Sequence, residues 1–227
     1  MEQPNQLKNQ FHLFSQRRFL PFFITQFLGA LNDNLFKNAL LVIVVSTAAA
    51  GSDSSTNFTT NFAVGLFILP FFLFSTTAGQ LADTYDKAML MRRVKLAEIF
   101  IMLAGSYALV TLNFNFMLII LFLLGTQSAF FGPAKYSLIP QHLNDDELLA
   151  GNAQISMGTF GSILLGTLIG GWMVTLENGI TMLSVLIVLV SLVGWISSRE
   201  IPEAPSENPG QKLRLNPFTE TAGNFRM

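Results

Sequence analysis

FLPFFITQFLGALNDNLFKNALLVIVVSTAAA, residues 19–50, decides the fold class of this chain. Two apolar stretches, 19–31 and 39–50, run together into one segment, and a bilayer core asks for only about 20 residues of helix. Asn32, Asp33, Asn34 and Lys37 stand in its middle. A charge at that depth costs about 3 kcal/mol on insertion scales, and it persists mainly where it faces a polar interior. On a helix with Asp33 as reference, Gln26 falls at about +20°, Gly29 at about −40° and Lys37 at about +40°, so the four share one narrow face. If the membrane begins near Phe22, Asp33 lies roughly 16 Å along the helix, near the bilayer midplane. Lys37 is one turn farther, at the i,i+4 spacing where carboxylate and ammonium can meet. Two uses fit: a structural ion pair, or a two-sign site in which Asp33 takes a cationic group and Lys37 an anionic one.

The whole chain extends the same reading. Apolar residues make up 51% and charged residues 12%, against about 25% charged in soluble domains. This is the composition of an integral membrane protein. A net charge of −1, with Lys and Arg scattered, offers no basic stripe for a nucleic-acid backbone. There is no Cys, and His12 and His142 are far apart, so no metal site, disulfide or cofactor is expected. Both histidines read as solvated. No carboxylate pair, Ser-His-Asp set, phosphate-cradling Lys loop or acyltransferase motif is present, and no residue is assigned a catalytic role.

Hydropathy predicts six spans, near 19–49, 60–82, 94–112, 116–138, 150–175 and 180–198. Asn113-Phe-Asn115 and Glu177-Asn-Gly179 are turns short enough to join antiparallel spanning helices. The fold class is therefore all-α, a six-helix membrane bundle. Residues 1–18 do not read as a cleavable signal. Lys8, Arg17 and Arg18 precede the first span; Lys87, Arg92, Arg93 and Lys95 lie between the second and third; Arg199, Lys212, Arg214 and Arg226 follow the sixth. The excess of cations at these places puts both ends in the cytoplasm. Residues 199–227 turn polar and rich in Pro and Asn, which reads as a linker. Six spans with cytoplasmic ends and such a linker match one half of a twelve-span transporter built from 3+3 inverted repeats. A six-span protein with a disordered tail is the alternative.

Three motifs sharpen this. Gly79-Gln-Leu81-Ala82-Asp83-Thr84-Tyr-Asp86-Lys87 resembles the signature loop of the major facilitator superfamily, with Thr84 where that family has Arg and Asp86 where it has Gly. The resemblance implies a cytoplasmic latch at Gly79, Asp83, Asp86 and Lys87. Near it, Asp83, Glu98 and Lys135 are expected to form a cytoplasmic network, a gate or a set of caps. Gly166-Thr-Leu-Ile-Gly170-Gly171 resembles the family's Gly-Pro-x-x-Gly-Gly element without its Pro. Independently of any family, Gly158, Ser162, Gly166 and Gly170 recur every four residues and draw a stripe suited to close helix packing. Pro70 and Pro133 are expected kink points.

Leu31-Asn32-Asp33-Asn34, the 81–87 loop, and Phe131-Gly132-Pro133-Ala134-Lys135-Tyr136-Ser137 with Ile139-Pro140 together resemble the lysophospholipid transporter branch of the superfamily. That branch includes the membrane domain fused to bacterial acyltransferase and acyl-carrier-protein ligase domains. The resemblance implies a lysophospholipid, chiefly lysophosphatidylethanolamine, as substrate, the bacterial inner membrane as its place, and a second six-helix half as partner. Asp33, Lys37, Gln26, Asn34 and Gln127 are then the candidate substrate residues. A membrane module serving fused acyltransferase domains and a small-solute permease are the alternatives.

Overall fold

The computed structural model describes residues 11–48 and 53–206. A short 3-10 turn, Phe11–Ser15, leads into six α-helices: α1 Leu20–Ala48, α2 Asp53–Thr84, α3 Lys87–Val110, α4 Phe114–His142, α5 Leu148–Val174 and α6 Gly179–Arg199. Five of them, all but α3, are long and apolar enough to cross a membrane.

Most helix bounds fall close to the hydropathy spans, but α2 begins at Asp53 rather than 60 and α3 at Lys87 rather than 94. For α3 the cause is local. Asp86 caps the helix by accepting from the Met89 backbone N–H at 2.6 Å, satisfying a donor that the first turn leaves open. Lys87, Arg92, Arg93 and Lys95 therefore stand on a helix, not in a loop, and this charge is what sets α3 apart from its neighbours in hydropathy. Asn113 caps α4 by accepting from Phe116 N–H at 3.1 Å. Before α5, Glu147 accepts from the Asn144 backbone N–H at 2.9 Å while its own N–H donates back to Asn144 O at 2.9 Å, a closed turn that leads into the helix.

Packing pairs the helices in a pattern that exchanges the first three for the last three. The heaviest contacts are α1 with α5 and α2 with α4, then α3 with α6; α1 with α6 and α3 with α4 are also extensive. Swapping α1–α3 for α4–α6 exchanges α1–α5 with α2–α4 and α1–α6 with α3–α4 and leaves α3–α6 as it is, as two related three-helix repeats require. Outward faces are apolar, with Phe72, Phe160 and Leu149 among the most exposed side chains. Side chains of that kind are at ease against lipid.

Inside, two apolar clusters occupy opposite ends of the bundle. One draws on Leu35, Phe36, Leu40, Met102, Leu121 and Ile187, the other on Phe19, Phe22, Met91, Leu138, Leu143 and Ile201. Between them α1 passes through Thr25, Gln26, Asn32, Asp33 and Asn34, all buried. Buried polar groups must find partners, because an unmatched one costs about 1–3 kcal/mol. This middle layer is where the bundle concentrates its polar contacts.

Just beyond α6 the chain packs back on the bundle. Of the expected linker, residues 200–206 lie against the bundle, with Ile201 and Ala204 buried. Lys87 N–H donates to Ala204 O at 2.9 Å, Ala204 N–H to Asp86 at 2.8 Å, and Arg92 to Ile201 O at 2.5 Å. The remainder, 207–227, lies outside the described residues.

Candidate functional site

A cleft of about 360 Å³ opens in the polar layer, lined from α1 by Gln26, Gly29, Ala30, Asp33, Asn34 and Lys37. Helix α2 contributes Phe67 and Phe71, α3 Lys95 and Glu98, α4 Gln127, Ser128, Phe131, Gly132, Lys135 and Tyr136, and α5 Thr159 and Ile163. One wall is charged and amide-rich, while Phe67, Phe71 and Phe131 make an aromatic one. Three lysines face two carboxylates.

Asp33 has partners from across the bundle. Gln127 donates to one carboxylate oxygen at 3.2 Å and Ser128 to the other at 2.5 Å. Lys37, in contrast, makes no ion pair with Asp33: its ammonium lies over the Phe67 ring, 5.2 Å from the centroid. The i,i+4 spacing allows a contact that the structure does not make. A carboxylate already held by two donors gains little from bending a lysine toward it, and the aromatic face offers the ammonium a cation–π contact.

The bundle's one fully buried ion pair among the described residues is Lys95–Glu98, at 2.5 Å. Its geometry depends on two glycines. The Lys95 ammonium lies where a side chain on Gly29 would stand, 2.8 Å from that position, and 3.3 Å from the corresponding position on Gly194. Asn32 completes the group, donating to Glu98 at 3.1 Å and to Ile187 O at 3.1 Å. Such a pair is costly to bury and more costly to break, since a lone charge then remains inside.

The expected network of Asp83, Glu98 and Lys135 does not form. Glu98 is taken by Lys95, Lys135 turns to Gln26 and Thr159, and Asp83 has no polar partner among the described residues. The three stand on different helices, and which of them meet depends on how those helices pack. Glu98 and Lys135 nevertheless line the same cleft. In the signature loop Asp86 and Lys87 hold the chain beyond α6, Lys87 adding a bond from its ammonium to Pro205 O at 3.3 Å. Its own helix backbone aside, no atom of the described residues lies within 4 Å of where a Gly79 side chain would begin.

Asn34 donates to Ala30 O at 2.7 Å, and its side-chain carbonyl oxygen is buried without a partner. The small-residue stripe of α5 runs directly behind this part of α1. Side chains on Gly166 and Gly170 would begin 2.8 Å from Leu31 O and 2.5 Å from Leu35 O. The stripe thus lets α5 touch the α1 backbone and presses the polar face of α1 toward the cleft.

Sequence reasoning did not single out Lys95, Ser128 and Thr159. Lys95 and Glu98 carry a usable signal, opposite charges three residues apart on a helix; Ser128 and Thr159 carry none. His142 is half-buried rather than solvated, its ring between the backbone carbonyls of Arg18 at 3.2 Å and Glu203 at 3.4 Å.

A six-helix bundle of two related halves with a polar cleft is matched by sequence comparison. Residues 22–225 fit the profile of the Major Facilitator Superfamily. The chain belongs to this superfamily. Among curated proteins it is 30% identical over 207 residues to the lysophospholipid transporter LplT of Enterobacter sp. (strain 638), covering 88% of this chain and 47% of that one. It is 28% identical over 199 residues to LplT of Salmonella paratyphi B, covering 87% and 46%. LplT of Cronobacter sakazakii is 25% identical over 212 residues, covering 92% and 49%. The chain spans about half the length of the curated relatives it matches. As a superfamily member it is a multi-pass membrane protein, and the described bundle is consistent with one half of a transporter of that family.

Proposed function

We propose that the full protein carries a lysophospholipid of the lysophosphatidylethanolamine type across the bacterial inner membrane by alternating access, with these helices as its N-terminal half. The observation that carries this reading is the pairing of charges of both signs with an aromatic wall in one cleft. Asp33 offers a carboxylate to the head-group amine, helped by the unpartnered oxygen of Asn34. Lys37, held by no carboxylate, offers a cation to the phosphate. Phe67 and Phe71 give the single acyl chain an apolar surface. A water-soluble substrate has no use for that surface.

Both ends of the bundle segment belong, on this reading, in the cytoplasm. Supporting it, Arg17, Arg18, Arg92 and Lys87 gather at one end of the bundle through their bonds to Glu200, Glu147, Ser198 and Pro205, and clustered cations favour the cytoplasmic side. A second six-helix half completes the cavity, and acyltransferase domains farther along the chain are compatible with the same reaction path.

The test is uptake of labelled lysophosphatidylethanolamine by spheroplasts expressing the full-length protein, compared with Asp33→Asn and Lys37→Met. Uptake by the wild type and its loss in both variants support the reading. Wild-type uptake rates in both variants would leave the two residues without a substrate role.

A further inference from the structure

Lys135 is a second cation in the cleft that no carboxylate neutralises. Its ammonium has two neutral oxygen partners, Thr159 Oγ1 at 3.3 Å and Gln26 Oε1 at 3.5 Å, and it lies 5.0 Å from the centroid of the Tyr136 ring. Both bonds are long for a charged donor, whose contacts with an anion run at about 2.7–2.9 Å. Thr159 and Gln26 are themselves joined at 2.9 Å, so the two acceptors are fixed and the ammonium is the loosely held member.

Space adjoins it. Gly132 precedes Lys135 by three residues on α4, also lines the cleft, and, its own helix backbone aside, has no atom of the described residues within 4 Å of where a side chain would start. A half-buried lysine with weak neutral partners beside open volume is built to receive an anion.

Position gives this anion a meaning. Along α1, Gln26, which holds Lys135, lies about 10 Å from Asp33 in one direction, and Lys37 lies about 6 Å away in the other. The carboxylate of Asp33 is thus flanked by two cations on opposite sides along the transport axis. We infer that Lys135, with Thr159 and the space over Gly132, forms a second anion subsite that takes the head-group phosphate as the lipid moves toward the end of the bundle carrying residues 11–19 and 200–206. This rests on the lysophospholipid reading above. Lys37 and Lys135 then act in succession while Asp33 serves the amine.

The experiment measures initial uptake rate against concentration in spheroplasts expressing the full-length protein. Two probes are used, lysophosphatidylethanolamine and lysophosphatidic acid, which has the phosphate but no amine. Lys135→Met is expected to raise the half-saturating concentration of both by about tenfold, the loss of one charge-assisted contact. Lys135→Arg keeps the charge and is expected to stay within about threefold of wild type. Asp33→Asn is expected to weaken lysophosphatidylethanolamine selectively. An unchanged half-saturating concentration in Lys135→Met, a fall in maximal rate alone, or equal loss in Lys135→Arg and Lys135→Met would each overturn the subsite. Absence of uptake by the wild type would overturn the transport reading itself, and the subsite with it.

Discussion

Ser128 on α4 donates its hydroxyl to Asp33 on α1 at 2.5 Å, so the carboxylate at the centre of the first helix is held by the fourth. With Gln127 on the other oxygen, adjacent residues of α4 grip both sides of one carboxylate and tie the two helices together at the level of the cleft.

Ser128→Ala removes one of those donors and leaves its oxygen exposed to the cleft. The expected cost is about 1–2 kcal/mol in stability, seen as a lower melting temperature of the detergent-solubilised full-length protein. Lysophosphatidylethanolamine uptake is expected to fall by less than in Asp33→Asn, because the carboxylate itself survives. Uptake in Ser128→Ala as low as in Asp33→Asn would mean that orientation, not charge, is what Asp33 supplies.

Glu98→Gln strands the buried ammonium of Lys95 and is expected to cost about 3–5 kcal/mol. Replacing both partners, as Lys95→Met with Glu98→Leu, is expected to recover most of that stability, since neither charge then remains inside. A double-mutant cycle of melting temperatures measures the coupling. Additive losses would show that the two groups do not depend on each other.

Gly170→Ala places a methyl group against Leu35 O, 2.5 Å away, whereas a methyl on the next residue, Gly171, meets Val42 at an ordinary 3.6 Å. The first substitution is expected to destabilise by about 1–3 kcal/mol through overpacking. Gly171→Ala is expected to be neutral. Thermal unfolding of the two variants side by side checks the contrast, and equal behaviour would contradict the close approach of α5 to α1.

The Glu147 carboxyl sits below its ordinary range chiefly because the Asn144 backbone N–H donates to it; partial burial opposes this, and Arg18 adds a second bond that lowers it further. A carboxylate with a lowered pKa in the folded state contributes stability that is present above its unfolded value, about 4.5, and is lost as pH falls through the folded one. Glu147→Ala is therefore expected to be less stable than wild type at pH 6–7, with the gap closing below about pH 4.5. Melting curves across that range test it. A gap independent of pH would place the effect in packing alone.

Much of this architecture is legible along the chain. The segment 19–50 is read as a spanning helix because hydropathy is a local sum, and its polar face follows from the 3.6-residue period without knowledge of any neighbour. The stripe from Gly158 to Gly170 is legible for the same reason. Lys95 is the instructive miss. Counted with Lys87, Arg92 and Arg93 as loop charge, it instead enters the bundle because Asp86 starts the helix early and because Gly29 and Gly194 leave room for its ammonium.

The membrane class, the six helices and the concentration of polar residues on one face of α1 are written in the order of residues along the chain. These depend on residue type, spacing and capping, which act over a few residues. Which group meets which charge was decided only by the tertiary structure. Asp33 turned to Ser128 and Gln127 rather than Lys37, Glu98 to Lys95 rather than Lys135, and Lys135 to Thr159 and Gln26. A hydrogen bond or ion pair operates over about 3 Å, so the choice belongs to whichever helix packing brings that close.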